Sequence, residues 1–404
     1  MLELGLIVRA LLRHKMAALI IALQIALTLT VLVNAVFMIQ DRQASMQRDT
    51  GVNETDTFYL TSRVFAPGYD YQSEIPKDLD LLRHTPGIID AVYINSVPLS
   101  GYGGYQRLQL QPGKDQNSII AGDYLSDDHV LNTLELELIA GENFQPEDVL
   151  IQDSNSAQLP AKIIVSRAMA AQLYPDNWQR ALGSTVYADE NIPLKITGIV
   201  KTLQGAWHFW DQVEATIITP VISLTDSGIY LIRTEPGRRD ELMPKVEALL
   251  AHSNKNRIIR SVTTLQDTRD ESYREHNATN KILLLVVLTL VLVTAFGIVG
   301  LATFGINRRT RQIGTRRALG ATKGQIMRYF MVENSLITLA GIALGAIGAV
   351  ALNIYLVETF AMTPVTPDLI VYGAISVFVL GQLAVLYPAR KAALISPATA
   401  TRMV

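Results

Sequence analysis

Four long uncharged stretches constrain this chain more than any other feature of its sequence. The first two, Met16–Gln40 and Ile282–Ile306, flank about 240 more polar residues. Two more, Asn334–Val357 and Leu369–Ala389, follow them. About 20 apolar helical residues cross the hydrocarbon core of a bilayer. The sequence therefore predicts an α-helical membrane protein with four transmembrane helices and a large α+β domain inserted between helices one and two.

The distribution of Lys and Arg near the span ends predicts the orientation. If there are four spans, all three basic segments fall on one side of the membrane, which we take as cytoplasmic. These are the N-terminal segment (Arg9, Arg13, Lys15), the loop between the second and third spans (Arg308, Arg309, Arg311, Arg316, Arg317, Lys323, Arg328) and the C-terminal segment (Arg390, Lys391, Arg402). The first stretch is longer than the roughly 7–15 apolar residues of a signal peptide, so we expect it to be retained.

The composition excludes several classes of function. The formal net charge is only −2, so no global field would attract nucleic acid. The chain has no cysteine, which excludes disulfides, Fe–S clusters and Cys-ligated zinc. The four stretches contain no Asp, Glu, Lys or Arg, and ion-coupled transport usually needs such a group at depth. The six histidines are scattered, and Asp127-Asp128-His129 fits a solvated turn, so we expect no catalytic, cofactor-binding or metal site.

The domain between the first two spans begins and ends with a strand–helix–strand pattern. Parallel strands joined by a helix fit such units. The predicted elements are Thr57–Val64, Pro76–His84 and Ile88–Val97 at one end, and Gly228–Thr234, Asp240–His252 and Ile258–Val262 at the other. We expect residues 52–99 and 226–265 to form one subdomain, with a more β-rich one, residues 100–225, inserted into it. That second part contains predicted strands Lys162–Val165 and Pro193–Val200 and a helix capped by Ser166.

Two aromatic loops stand out in the inserted part. One contains Tyr102 and Tyr105 among glycines, and the other contains Trp207 and Trp210. Exposed aromatic residues often contact a partner or an apolar substrate. The alternative is that each loop is a hairpin end that packs on its own subdomain. The sequence leaves both interpretations open.

The segments that join this domain to the membrane are charged and lack Gly and Pro. They are Asp41–Asp49 after the first span and Leu265–Asn280 before the second. Flexible linkers are usually rich in Gly, so we expect continuous helices that form a rigid stalk.

Small residues recur every four positions on two of the spans. The first span carries Ala18, Ala22, Ala26 and Thr30, and the third carries Gly341-x-x-x-Gly345. This spacing allows two helices to approach closely. On the first span it fits a dimer interface or packing within one chain, and on the third we favour packing within the chain.

The loop between the second and third spans carries apolar residues among its bases. Positive charge alone would satisfy the orientation rule, but this loop also contains Ile313, Ala318, Leu319, Ile326 and Met327. An amphipathic helix of this kind can lie on the membrane or dock in the groove of a partner. We predict such a helix over residues 311–330.

Two motifs carry a resemblance to a known family. The loop sequence RQIGTRRALGA, residues 311–321, resembles the R-E-I-G-x-R-x-A-x-G-A signature of MacB-type ABC transporter permeases, in the FtsX superfamily. The run YPARKAA, residues 387–393, with Ser396-Pro397, is similar to their C-terminal ending. Weaker similarities cover residues 124–144 and 164–200. The chain departs from the pattern at Gln312, where the family has an acid, and in the tail Ala398–Arg402.

The resemblance implies a permease subunit of an ABC exporter in the bacterial inner membrane, without a fused ATPase domain. The chain lacks a G-x-x-x-x-G-K-[ST] loop, so the family relationship implies that ATP and Mg bind to a separate ATPase dimer. Other implied partners are a second copy or a homologous permease, membrane lipids and, as candidates, a periplasmic adaptor and an outer-membrane duct. ATP-driven motion would pass to the periplasmic domain, which is called mechanotransmission, to export a periplasmic substrate. A lipoprotein-extracting permease and an FtsX-like activator of a cell-wall hydrolase are the alternatives.

The same resemblance assigns parts and residues. Residues 1–40 hold the N-terminal segment and first span, 41–280 the periplasmic domain with its stalk, and 281–404 the other spans. Within 41–280, residues 52–99 and 226–265 would be porter-like and residues 100–225 sabre-like. The residues that would couple to the ATPase are Arg311, Ile313, Gly314, Arg316, Arg317, Ala318, Leu319, Gly320 and Met327.

Overall fold

The computed structural model describes residues 15–114, 116–153, 158–360 and 363–396. Predictions that concern Arg9, Arg13, Pro397 and the tail Ala398–Arg402 lie outside these residues. The chain divides into two units: a membrane unit, which includes the residues up to Met46 and from His276 onward, and an outward unit, Gln47–Glu275.

The helices and strands follow one another in an order that separates these units. The helices are α1 (Lys15–Met46), α2 (Tyr71–Arg83), α3 (Val130–Leu134), α4 (Arg167–Leu173), α5 (Arg239–Ser253), α6 (Leu265–Ser272), α7 (Arg274–Arg308), α8 (Thr310–Ala318), α9 (Lys323–Phe360) and α10 (Pro367–Ala393). The strands are β1 (Thr57–Val64), β2 (Ile88–Ile94), β3 (Gly104–Gln109), β4 (Ser118–Ser126), β5 (Leu138–Gly141), β6 (Leu150–Asp153), β7 (Lys162–Ser166), β8 (Thr185–Ala188), β9 (Ile192–Val200), β10 (Thr216–Leu224), β11 (Ser227–Thr234) and β12 (Arg257–Thr264).

The four predicted membrane spans are confirmed as helices α1, α7, α9 and α10, each long and apolar enough to cross a bilayer. Helix α9 packs against both α1 and α10. Polar side chains add hydrogen bonds between spans: the Thr28 and Thr294 hydroxyl groups share one of 2.6 Å, and the Asn334 amide donates to the Gly381 carbonyl at 3.0 Å. Interspan hydrogen bonds of this kind stabilise a helix bundle by roughly 0.6 kcal/mol each.

The small-residue face of α1 packs against α9 of the same chain. A Cβ atom added to Gly345 would lie only 2.9 Å from the Ala26 carbonyl oxygen, and the Thr30 hydroxyl donates to the Gly345 carbonyl at 3.1 Å. Ala22 and Ala26 are buried, and Ala18 is half-buried beside a cavity inside the unit. The dimer-interface interpretation of this face is therefore wrong, because the face is already occupied within the chain.

The first sheet of the outward unit is built from both ends of the unit. Its strand order is β12-β1-β11-β2, and all neighbouring strands are antiparallel. The two strands of each strand–helix–strand unit run parallel, as the sequence suggested, but a strand of the other unit lies between them. This interleaved arrangement is the split βαβ pattern of ferredoxin-like folds. Helices α2 and α5 cover one face, where Leu79 and Val246 pack on Phe58 and Tyr230.

A buried ion pair lies in this core. The Asp78 carboxylate of α2 binds the Arg257 guanidinium of β12, and both side chains are at most 3% exposed. The Tyr230 hydroxyl donates to Asp78 at 2.6 Å. The cluster fixes α2 against the edge strand β12, because both charges are buried away from water and would be uncompensated if the pair were broken.

The second sheet is formed by the middle of the unit, residues 104–224. Its strand order is β4-β3-β8-β9-β7-β10-β6, with β5 beside β9. Strand β4 also pairs with β10, so the sheet closes into a ring of six strands. The strands of the ring are β4, β3, β8, β9, β7 and β10. Helix α4 begins after Ser166, whose hydroxyl accepts a hydrogen bond from the Met169 amide at 3.1 Å. This confirms the predicted cap.

A polar cluster joins the two sheets. Asp90 of β2 accepts hydrogen bonds from the His129 ring at 2.9 Å and the Asn132 amide at 2.6 Å, while Arg83 binds Asp127 at 2.6 Å. Burial alone would raise the pKa of Asp90, but the bonds from His129 and Asn132 hold it below its ordinary value. The hydrogen bond to Asp90 raises the pKa of His129, against the opposite effect of burial. The cluster is therefore most favourable when the imidazole is protonated.

Neither connecting segment is one continuous helix, so that prediction is wrong in detail. Helix α1 ends at Met46, and Asp49 accepts a hydrogen bond from the Gly51 amide in the turn that follows. Helix α6 ends at Ser272, and α7 begins at Arg274. The intervening Tyr273 is buried, and its ring packs edge-on against His208 with centroids 5.3 Å apart. This packing holds the break in place.

Candidate functional site

The loop between the second and third spans contains two helices with a turn between them. Helix α8 ends at Ala318, and Gly320 adopts a left-handed conformation with φ of +95°, which favours glycine. Helix α9 then begins at Lys323. Its first turn is fixed by reciprocal hydrogen bonds: the Thr322 amide donates to the Gln325 side chain at 2.8 Å, and the Gln325 amide donates to the Thr322 hydroxyl at 3.2 Å. The prediction of one helix over residues 311–330 is therefore wrong.

One side of α8 is attached to the ends of the spans. Ile313 and Gly314 are buried. Ile313 belongs to an apolar cluster with Ile306, Phe330 and Ala389, which come from α7, α9 and α10. Ile313 is therefore not available to a partner, contrary to its assignment as a coupling residue. Its role is to fix the position of α8 on the membrane unit.

The other side of the loop is exposed and combines one large apolar residue with bases. Leu319 is 84% exposed at the turn, and Ala318 and Gly320 beside it are also exposed. Arg311 and Arg316 are exposed as well. An isolated leucine held at the tip of a structured turn can enter an apolar pocket of a partner. We call residues 318–320 the apolar tip.

Two half-buried residues from the predicted coupling set, Arg317 and Met327, support this loop from within. The Arg317 guanidinium donates to the Ala321 carbonyl at 3.0 Å and so bridges the turn. Met327 packs on the apolar cluster beneath α8. The guanidinium of Arg316 lies 5.0 Å from the centre of the Tyr329 ring, a cation–π contact. These contacts hold the turn that carries the apolar tip in a fixed conformation.

Sequence reasoning missed an ion pair at the base of the loop. Arg309 donates to both carboxylate oxygens of Glu333, at 2.9 and 3.0 Å, and both side chains are mostly buried. The pair joins the end of the second span to the third. The available signal was that Glu333 is the first acid after a long basic run, directly before an uncharged stretch.

The two aromatic loops of the outward unit lie side by side. The Gly101 amide donates to the Ala206 carbonyl at 2.8 Å, which joins their backbones. The rings of Trp207 and Trp210 stack edge to face, 6.0 Å apart, and both are half-buried. The other aromatic residues of the two loops are exposed: Tyr102 (82%), Tyr105 (59%) and Phe209 (73%). We call these three residues together with Trp207 and Trp210 the aromatic patch. The tryptophans therefore pack on their own domain, while the tyrosines and Phe209 face solvent.

The aromatic patch lies beside both ends of the outward unit. The His208 ring shares a 2.9 Å hydrogen bond with the Ser272 hydroxyl, next to the start of α7. The Gln204 amide donates to the Thr50 carbonyl at 3.1 Å, near the end of α1. Burial lowers the pKa of His208. The patch is thus connected to both segments that lead to the spans.

Two family models match this chain. The MacB-like periplasmic core domain model matches residues 16–249, more than half of the chain, and the FtsX-like permease C-terminal model matches residues 284–397.

The chain belongs to the MacB-like family of FtsX-like permeases.

Relatives of this permease differ in length. A macrolide export ATP-binding/permease protein MacB of Shewanella oneidensis is 25% identical over 279 residues, which cover 65% of this chain and 40% of that protein. An uncharacterized ABC transporter permease, YknZ of Bacillus subtilis, is 24% identical over 293 residues, 68% of each chain. The chain thus spans about 40% of the length of the MacB relatives it matches.

The chain is also similar to a solved structure. The periplasmic region of MacB from Actinobacillus actinomycetemcomitans covers 57% of this chain and 97% of that one, with 16% identity and a TM-score of 0.35. The assignment depends on the family models. Together with the four membrane-length helices, they indicate a membrane protein with an extracellular domain of the MacB type.

Proposed function

We propose that this permease is the membrane subunit of a MacB-type ABC exporter, driven by a separate ATPase dimer that binds ATP and Mg. The chain would act as a dimer, with a second copy or a homologous permease, in the bacterial inner membrane. Both termini would be cytoplasmic, in agreement with the three basic segments. The outward unit would then be periplasmic.

In this proposal the subunit transmits motion. Helix α7 runs without a break from Arg274, beside the aromatic patch, to Arg308, beside α8. Its 35 residues make a rod of about 52 Å. A rigid element of this length can carry a displacement of α8 to the outer side of the membrane. This continuity is the observation that most supports mechanotransmission.

The proposal also assigns the parts of the outward unit. The sheet of β1, β2, β11 and β12 would be the porter-like subdomain, and the closed ring of strands the sabre-like one. The exposed side of the aromatic patch would contact the periplasmic substrate. An adaptor and an outer-membrane duct are further candidate partners of the outward unit.

The apolar tip would be the contact with the ATPase. Because the chain has no cysteine, a single Leu319→Cys variant can carry a photo-crosslinker at the tip alone. We expect irradiation of membranes to attach one subunit, which mass spectrometry identifies as an ABC ATPase. A crosslinker at Leu394, another exposed leucine, is the control. Equal capture from both positions, or no ATPase from position 319, would contradict the proposal.

A further inference from the structure

The membrane unit contains a cavity of about 130 Å³ that is open on one side. All four spans contribute to its wall. The wall is mainly apolar and includes Ala18 and Ile21 of α1, Ala302 and Gly305 of α7, Ile337 of α9 and Val385 of α10. Small residues on α1 and α7 create the space. A Cβ atom added at Gly305 would have no neighbour within 4 Å among the described residues.

The length of the cavity matches one leaflet of a bilayer. Its wall along α7 extends from Ile298 to Arg308. Ten helical residues rise about 15 Å, since each contributes about 1.5 Å. The hydrocarbon core is about 30 Å thick, so one leaflet contributes about 15 Å. A lipid acyl chain can therefore lie along α7 between these two residues, with part of the chain seated in the cavity and the rest along its open side.

One end of the cavity carries an excess of positive charge. Arg308 and Arg309 line this end together with Glu333. Arg309 and Glu333 neutralise each other through two hydrogen bonds. Arg308 is exposed and forms no ion pair within the part of the chain that the structure describes. Its guanidinium can therefore accept an anionic group at the level where lipid headgroups lie.

We propose that this cavity binds one acyl chain of an anionic phospholipid, whose phosphate binds Arg308. The lipid belongs to the leaflet on the side of the α8 loop. The apolar wall alone would accept the tail of any lipid, and the unpaired Arg308 favours a headgroup with net negative charge. Basic pockets between spans are recognised sites for such headgroups. The proposal does not depend on an ATPase or on the direction of transport.

The test uses the full chain in phosphatidylcholine nanodiscs that contain a trace of phosphatidylglycerol with a photoreactive acyl chain. We expect the intact-protein mass to show one lipid adduct after irradiation. A phosphatidylcholine probe with the same acyl chain should label several-fold less. Peptide mapping should place the adduct on the residues of α1 and α7 that line the cavity.

Two variants test the two halves of the site. Gly305→Leu fills the cavity. It should reduce labelling by the phosphatidylglycerol probe to the level seen with the phosphatidylcholine probe. Gly300→Leu is its matched control, because Gly300 also has open space around it but does not line the cavity. Arg308→Gln should weaken labelling about fivefold, the effect of one surface base on an anionic lipid. Lys323→Gln is the control for charge and should leave labelling unchanged.

The outcomes distinguish a specific lipid-binding site from non-specific contact with the bilayer. Equal labelling by the anionic and zwitterionic probes would overturn the proposal. So would an adduct that persists in Gly305→Leu, or one that both glycine variants reduce equally. Retained labelling in the two control variants, with loss in Gly305→Leu and Arg308→Gln, is the result that the proposal requires.

Discussion

Replacing Leu319 by Asp tests the proposed docking of an ATPase without disturbing the folding of the permease. The side chain is 84% exposed, so the substitution removes almost no packing within the chain. Surface substitutions usually change the free energy of unfolding by less than about 0.5 kcal/mol. We therefore expect Leu319→Asp to insert into the membrane and to unfold at the same temperature as the wild-type chain.

The expected loss of affinity follows from the same exposure. Full burial of a leucine side chain contributes about 1.5–3 kcal/mol, and nearly all of this side chain is available to be buried on docking. Leu319→Ala should therefore weaken ATPase binding roughly tenfold to 100-fold. Leu319→Asp also buries an unpaired charge, which costs several kcal/mol more. Leu319→Asp should therefore weaken binding more than Leu319→Ala does.

The assay is co-purification of the ATPase with each variant, followed by its rate of ATP hydrolysis. Leu394→Asp is the matched control, since Leu394 is 66% exposed and lies outside the apolar tip. Lys323→Gln should have little effect, because a single exposed base contributes at most about 1 kcal/mol. If Leu319→Asp retains and stimulates the ATPase normally, the apolar tip is not the contact.

Three further predictions concern stability of the full chain, measured by thermal unfolding. Asp78→Ala should cost about 3–5 kcal/mol, because it leaves the buried Arg257 unpaired, and an unchanged midpoint would contradict this account. The wild-type chain should be more stable than His129→Gln below about pH 6.5, and this difference should disappear as pH rises through the raised pKa of His129. A difference in unfolding midpoint that grows with pH would refute this account. Gly345→Leu should destabilise by about 1–3 kcal/mol through overpacking against α1, whereas Gly300→Leu should not.

The sequence predicted the elements well where local signals were strong. Thr57–Val64 is a strand with the predicted bounds, and Ser166 caps its helix as expected. The helix predicted over Pro76–His84 instead begins at Tyr71, because Asp70 caps it by accepting from the Ser73 amide. Proline marked the first turn of the prediction, but here it lies inside the helix. Local chemistry thus identified the element and missed its start.

Features that depend on distant contacts could not be read from the sequence. Nothing local shows that β11 inserts between β1 and β2. The small-residue face of α1 had two possible partners, and only packing against Gly345 decides between them. The exposure of Leu319 and the burial of Ile313 likewise follow from how α8 rests on the spans. Two apolar residues of one motif therefore differ in exposure: Ile313 is buried and Leu319 faces solvent.

The most direct test of mechanotransmission is a distance measured in the complex with its ATPase. Spin labels at Glu247→Cys in the outward unit and Asp368→Cys in the first turn of α10 can be placed because the chain has no other cysteine. Both positions are exposed. We predict that the distance distribution shifts between the nucleotide-free and vanadate-trapped states, and that Leu319→Asp abolishes the shift. An identical distribution in both states, while ATP is hydrolysed at the normal rate, would contradict the proposed function.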